Sequence, residues 1–284
     1  MSPRTLAARR FAVLLVSALA LGLAACGGTQ EARAPSVGEL DADRYLFERG
    51  KSALDRHRWL EAREYFKKLI DTYPSSDFRQ DARLGIGDAY LGEKRADTDV
   101  LASAEFKEFL RYYPLSDKAD YAQYRLAVCE SRQSLKPERD QTGTRDALKE
   151  IDTFIERYPT SQYMKEVLTL QRQMKDKVAE SEFLIGRHYY RTRWYPGAVS
   201  RLLDLVKQDP QYLGRDAVYF YLAESYLKLD QRAEALPYYE RIIAEFAVSS
   251  YIKDAKRRVG EIAQANAESS ARGGASGGPA ATTR

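Results

Sequence analysis

The chain has 284 residues, with 45 lysines and arginines against 41 aspartates and glutamates, two histidines and two cysteines. Arg4, Arg9 and Arg10 stand in the first 25 residues, where there is no acid, so the rest carries 42 basic against 41 acidic residues and no global charge for a nucleic acid to read. Two cysteines exclude a disulfide framework, and two separated histidines without metal-spaced companions give no metal site.

After the basic start, residues 11–23 are uncharged and apolar, followed by Leu23-Ala24-Ala25-Cys26. A basic end, an apolar middle and small residues before a cut form an export signal. The apolar stretch is too short for a spanning helix, which needs roughly 20 residues. Residues 1–25 therefore read as a signal peptide. The cysteine makes its end resemble the bacterial lipobox, which implies lipidation of Cys26 after cleavage before it. Gly27 stands where an aspartate would signal retention in the inner membrane, so outer-membrane delivery is expected. One acyl chain, at about 0.8 kcal/mol per buried CH₂, binds only marginally, and several chains on Cys26 anchor stably.

Residues 26–40 are small and polar without periodicity and read as a flexible tether. Beyond them the chain is dense in Ala, Leu, Tyr, Arg and Glu with no alternating pattern, which predicts an all-α body. A repeat closes at Pro74, Pro114, Pro159, Pro210 and, degenerately, Ala247. Twelve positions earlier stand Ala62, Ala102, Ala147, Ala198 and Ala235, and eight earlier Phe66, Phe106, Ile151, Leu202 and Tyr239. A small and a bulky residue four apart share a helix face, one permitting close approach and the other filling the gap beside it. Gly50, Gly87, Ala127, Gly186 and Ala223 supply the small residue of the preceding helix in each unit. The pattern resembles the tetratricopeptide repeat, which implies a superhelical stack of about five helical hairpins.

Residues 41–160 hold repeats one to three, residues 161–266 repeats four and five, and residues 267–284, rich in Ala, Gly and Ser, a disordered tail. The units exceed the usual repeat length. The extra residues are expected in loops at 93–99 and 134–144 and in a single long helix over residues 161–190.

His57 lies in a charged turn and His188 on a helix, and there is no Gly-rich phosphate loop. The expectation is a protein that binds other proteins, uses no cofactor or metal apart from the lipid on Cys26, and is not an enzyme. Cys129, in an apolar helical stretch, reads as a buried inert thiol.

More particular are the phrases Tyr-Pro-Ser-Ser-Asp-Phe78, Tyr-Pro-Thr-Ser-Gln-Tyr163, Asp140-Gln-Thr-Gly-Thr-Arg-Asp-Ala147 and Ala179-Glu-Ser-Glu-Phe-Leu-Ile-Gly-Arg-His-Tyr-Tyr190. With the lipobox and repeats they resemble the BamD family, lipoproteins of the machinery that folds β-barrels into the bacterial outer membrane. The resemblance implies a protein on the periplasmic face that receives unfolded barrel proteins on its early repeats. Its later repeats would dock to the periplasmic domains of BamA, beside other subunits of the machinery. The competing reading is another envelope lipoprotein built from the same repeats, one that assembles pili or coordinates peptidoglycan synthesis with division.

In such hairpins the first helix faces the groove. That places Phe47, Lys51, Leu54, Leu84, Asp88, Leu91, Tyr124, Val128 and Ser131 along the early groove, suited to an aromatic, β-prone peptide. In the later units the same positions are Phe183, Arg187, Tyr190, Phe220, Glu224 and Leu227. Arg201 matches an arginine position of the family's fourth repeat, and with Arg187 and Tyr190 it is a candidate for docking the partner.

Overall fold

The structure, a computed structural model, describes residues 41–275, so the expected signal peptide, Cys26, the tether and residues 276–284 lie outside the described residues. Within it the chain forms eleven α-helices and no strand. These are α1 (Ala42–Asp55), α2 (Trp59–Thr72), α3 (Arg79–Gly92), α4 (Ala96–Tyr112), α5 (Ala119–Gln133), α6 (Thr142–Arg157), α7 (Met164–Arg191), α8 (Tyr195–Gln208), α9 (Arg215–Lys228), α10 (Arg232–Glu245) and α11 (Ile252–Ala275). Each helix packs on the next, and α1, α3, α5, α7 and α9 also touch in sequence along the stack. The odd-numbered helices therefore form the inner layer, the even-numbered ones the outer layer, and the stack of five hairpins curves around the inner side.

The small-and-bulky register explains the packing. Ala62, Ala102, Ala147, Ala198 and Ala235 are fully buried, and the bulky partners Phe66, Phe106, Ile151, Leu202 and Tyr239 are at most 2% exposed. Glycine is required where the inner helices come closest: a Cβ on Gly50 would fall 2.5 Å from the Phe66 ring, and one on Gly186 would fall 2.5 Å from Leu202. Each outer helix is thus wedged between its own inner helix and the next, and five three-helix cores follow along the chain. Burying one such side chain contributes about 1.5–3 kcal/mol.

A polar device repeats beside this core. Ser76 donates to Asp43 (2.5 Å), Ser116 to Gln80 (2.7 Å), Ser161 to Asp120 (2.6 Å) and Ser249 to Asp216 (2.6 Å). Each of these serines also accepts the backbone N–H two residues on, which closes the turn into the next inner helix. The serine stands two residues after the repeat-closing position, and the acceptor stands at the start of the preceding inner helix. In unit four Tyr212 takes the serine's place, and its hydroxyl donates to Glu180 on α7.

The extra length is divided differently from expectation. The loops at 93–99 and 134–144 are shorter because α4 begins at Ala96 and α6 at Thr142, giving these outer helices 17 and 16 residues against 14 in α2. The long helix is as expected, 28 unbroken residues in α7, roughly 42 Å. The tail expected from residue 267 is corrected: α11 runs on to Ala275. Alanine is the best helix former, and there it extends the helix where its small size suggested a linker. Ser269 and Ser270 donate to the Asn266 carbonyl and so follow the helix.

His57, Lys94, Arg193 and Asp230 take the left-handed region at the turns between inner and outer helices, φ 56 to 64°. The exposed His57, whose ring lies 4.9 Å from that of Trp59, is therefore a turn residue. Cys129 is fully buried, and burial pushes its thiol up to about 12, so it holds its proton at neutral pH. Among the described residues no helix is long and apolar enough to cross a membrane.

Candidate functional site

The inner layer of the first three units, with the residues that open α7, lines an open cavity of about 490 Å³. The side chain of Phe66, drawn in between Gly50 and Gly85, forms part of its floor. Of the groove residues read from sequence, Phe47, Lys51, Leu54, Leu84 and Asp88 line this one space. Tyr124 and Val128 line a separate recess of about 310 Å³ against Lys165, Thr169 and Leu170 of α7.

Leu91 is not a groove residue. At 1% exposure it belongs to the core with Phe106, Phe109 and Leu126, because α3 is flanked by outer helices on both sides and shows only a narrow strip inward. Ser131 is also buried, its hydroxyl donated to the Ala127 carbonyl. Among the described residues no unit precedes α1, and Leu54 at the matching position stays partly open.

The cavity's apolar side is built on stacked rings. Phe47 stacks on Phe78 with centroids 4.9 Å apart and planes 14° apart. Its polar side is largely self-paired. Asp88 accepts from Arg125 Nε (2.7 Å) and from the Tyr121 hydroxyl (2.8 Å), and both Asp81 oxygens accept from Lys118 (2.6 Å). Burial outweighs these partners and holds the Asp88 carboxyl above the usual range, as it does the Tyr121 phenol. The wall thus sets aromatic and aliphatic surface beside charged side chains, of which Asp81 and Asp88 are paired within it.

Asp81, Lys118, Tyr121 and Tyr163 were not among the sequence candidates but complete the wall. Lys118 and Tyr163 stand four residues after a repeat-closing proline, and that offset was their available signal. Tyr163, the loop residue that caps the start of α7, lies flat on Tyr124, 5.0 Å between centroids. The cavity therefore touches the helix that both halves share.

The three docking candidates separate into two places. Arg187 and Tyr190 lie on the inner helix α7 in a row of rings: Arg187 covers Phe183 at 5.3 Å, and Tyr190 meets Tyr221 edge-on at 5.2 Å. Arg201 stands on the outer helix α8, half exposed, and bonds Glu182 of α7 at 3.3 Å. Glu224 is not available to a partner, being 4% exposed and bonded to Arg258 and to the Tyr239 hydroxyl.

Residues 41–237 match the model of the YfiO family, described as outer membrane lipoprotein. The chain belongs to this family. It is similar to the outer membrane protein assembly factor BamD of Caulobacter vibrioides, 29% identical over 229 residues that cover 80% of this chain and 73% of that one. It is also similar to the BamD of Haemophilus influenzae, 24% identical over 238 residues, 80% of this chain and 86% of the relative. Among solved structures the TPR2AB domain of yeast Sti1 in complex with pHSP90 is 14% identical, with a TM-score of 0.46, covering 81% of this chain and 86% of that one.

Proposed function

We propose that the protein is a lipid-anchored adaptor of β-barrel assembly on the periplasmic face of the outer membrane, with Cys26 carrying the lipid. The cavity of the first three units seats a segment of an unfolded barrel protein, and the second half docks to the periplasmic domains of BamA. The observation that carries the reading is the cavity itself: Phe47, Leu54, Leu84 and Tyr121 from three hairpins and Tyr163 at the start of the fourth converge on a space that fits one or two large side chains. Asp81 is paired with Lys118 and Asp88 with Tyr121 and Arg125, which leaves aromatic and aliphatic surface for an apolar or aromatic segment held by buried area. Membership of an outer-membrane lipoprotein family and similarity to assembly factors support the same reading. It assigns the chain a binding role and no reaction.

Capture by buried area depends weakly on salt. Titration of a fluorescent peptide from a C-terminal barrel strand should give an affinity that changes little between low and physiological salt. Phe47→Asp should weaken it at least tenfold, about 1.4 kcal/mol, since it replaces the ring stacked on Phe78 with a charge on the apolar side of the cavity. Capture unchanged by Phe47→Asp in a folded protein would rule out the cavity as the seat.

A further inference from the structure

Thirteen positions after a repeat-closing residue the inner helix holds a small residue: Gly87 after Pro74, Ala127 after Pro114 and Ala223 after Pro210. The following outer helix seats its bulky side chain there. A Cβ on Gly87 would fall 2.7 Å from the Phe106 ring, as close as the approaches at Gly50 and Gly186. Thirteen after Pro159 stands Arg172 instead. There α7 runs on, the next outer helix crosses it only at Gly186, and Arg172 bonds Asp176 and Asp209. Where no outer helix is seated, the small residue is dropped. Thirteen after Ala247 comes Gly260, on α11 and in register again. A Cβ on Gly260 would meet nothing within 4 Å. A second position repeats with the first. Four residues before the small one, a side chain meets the following outer helix: Arg83 bonds Glu105 and Glu108, Gln123 bonds Glu150 at 2.8 Å, Glu182 bonds Arg201 at 3.3 Å, and the Tyr219 ring lies 4.5 Å from Arg241. On α11 that position is Lys256, exposed and without a partner among the described residues.

We infer that α11 is the inner helix of a sixth unit whose outer helix is supplied by another protein, an amphipathic helix reading Ala-x-x-Glu followed by a large apolar residue. The apolar side chain lies over Gly260 and the glutamate pairs with Lys256. Outer helices of this chain carry the same pattern, in Ala102-x-x-Glu105-Phe106 and Ala147-x-x-Glu150-Ile151. Glycine is the poorest helix former after proline, and an exposed one inside a helix of 24 residues serves no contact of the folded chain. As a seat it has the use that Gly50 and Gly186 have. Lys253, two turns before Gly260 on the same face, is also exposed and unpaired, so the face is basic and selects an acidic helix. Residues 276–284 include no Phe, Tyr, Leu or Ile to fill the seat. In a second copy of this chain the two helices that read this way are already packed into the stack. α11 lies beyond residues 41–237 that match the family, and neither the cavity nor Arg201 takes part, so the seat stands or falls apart from the proposed function.

The probe is a fluorescein-labelled peptide of residues 96–112, the α4 sequence, whose own seat is Gly87 with Arg83 beside it. Its anisotropy should rise to saturation on titration with the full-length protein, with circular dichroism as the fold control. Gly260→Leu should weaken binding about tenfold and leave the melting temperature unlowered, since the added side chain has nothing of the folded chain to strike. Lys256→Glu should weaken it several-fold, and a peptide carrying Glu105→Lys and Glu108→Lys should recover that loss, as a change of fold could not. Absence of saturable binding to the unmodified protein, or binding that survives Gly260→Leu, overturns the seat. If Gly260→Leu acts and the charge exchange recovers nothing, the acidic helix is the wrong partner. A dimer in sedimentation that Gly260→Leu converts to monomer also overturns the assignment, in favour of a second copy of this chain.

Discussion

The two halves of the stack obey one packing rule and present different inner surfaces. In the first half two glycines, Gly50 and Gly85, draw Phe66 in from the outer layer, and the space left inside is the cavity. In the second half Phe183, Tyr190, Phe220, Tyr221 and Tyr251 fill the inner side with rings, Phe220 stacked on Tyr251 at 4.6 Å and Tyr221 6.2 Å from Tyr251. The contrast shows that the repeat fixes only the small and bulky pair at each crossing. Whether an inner face is hollow or filled depends on the size of the residues one turn away.

The comparison can be broken most forcefully through the shared rule. Phe66→Ala and Leu202→Ala each empty a crossing, and the expected losses are about 3–5 and 2–5 kcal/mol, read as chemical denaturation midpoints. A loss at one crossing and none at the other would mean that the two halves do not share a packing principle.

A smaller effect separates the halves by pH. Burial raises the Asp88 carboxyl, so the folded first half binds that proton more tightly than the unfolded chain does. Acidification through this window favours the fold there. In the second half Asp209 is held below the usual range, with burial opposing and Arg172 overcoming it. Its contribution is present above the ordinary carboxylate range and is lost as pH falls through the depressed value. Hydrogen exchange on lowering pH from 7 to about 3 should therefore show the segment from α8 to α9 opening before α3 and α5. The reverse order would refute this assignment of the two carboxyls.

The smallest effect concerns the serine bonds between units. Ser76→Ala and Ser249→Ala should each cost about 1 kcal/mol, whereas Ser75→Ala, one residue away from the repeated position, should cost almost nothing. Equal effects at Ser75 and Ser76 would show that the position itself is unimportant.

The crossing residues were legible because burial acts on residue size: alanine and a bulky partner four apart recur even where the polar residues drift. The serine and its acceptor were harder to read, since 33 to 41 residues separate them and the acceptor at one unit is Gln80 rather than an aspartate. Gly85, the second clamp on Phe66, lies outside the spacing that located Gly50 and Gly87. Leu91 was misplaced because a uniform offset treats every inner helix as equally open, although among the described helices α3 has neighbours on both flanks and α1 on one. Tyr163 and Lys118 come from loops, where helical periodicity carries no information.

The length of α7 sets a distance. Tyr163 at its start belongs to the cavity, and Tyr190 lies 27 residues further on at its end, about 40 Å away along an unbroken helix. Were a chain segment seated at one end and a protein held at the other, as proposed, the two would be kept within one molecular diameter. Confinement to that radius corresponds to an effective concentration on the order of 10 mM, far above what two free proteins meet in dilute solution. On the proposed function the helix would act as a ruler, bringing two ligands into one local encounter while keeping them too far apart to compete for the same surface.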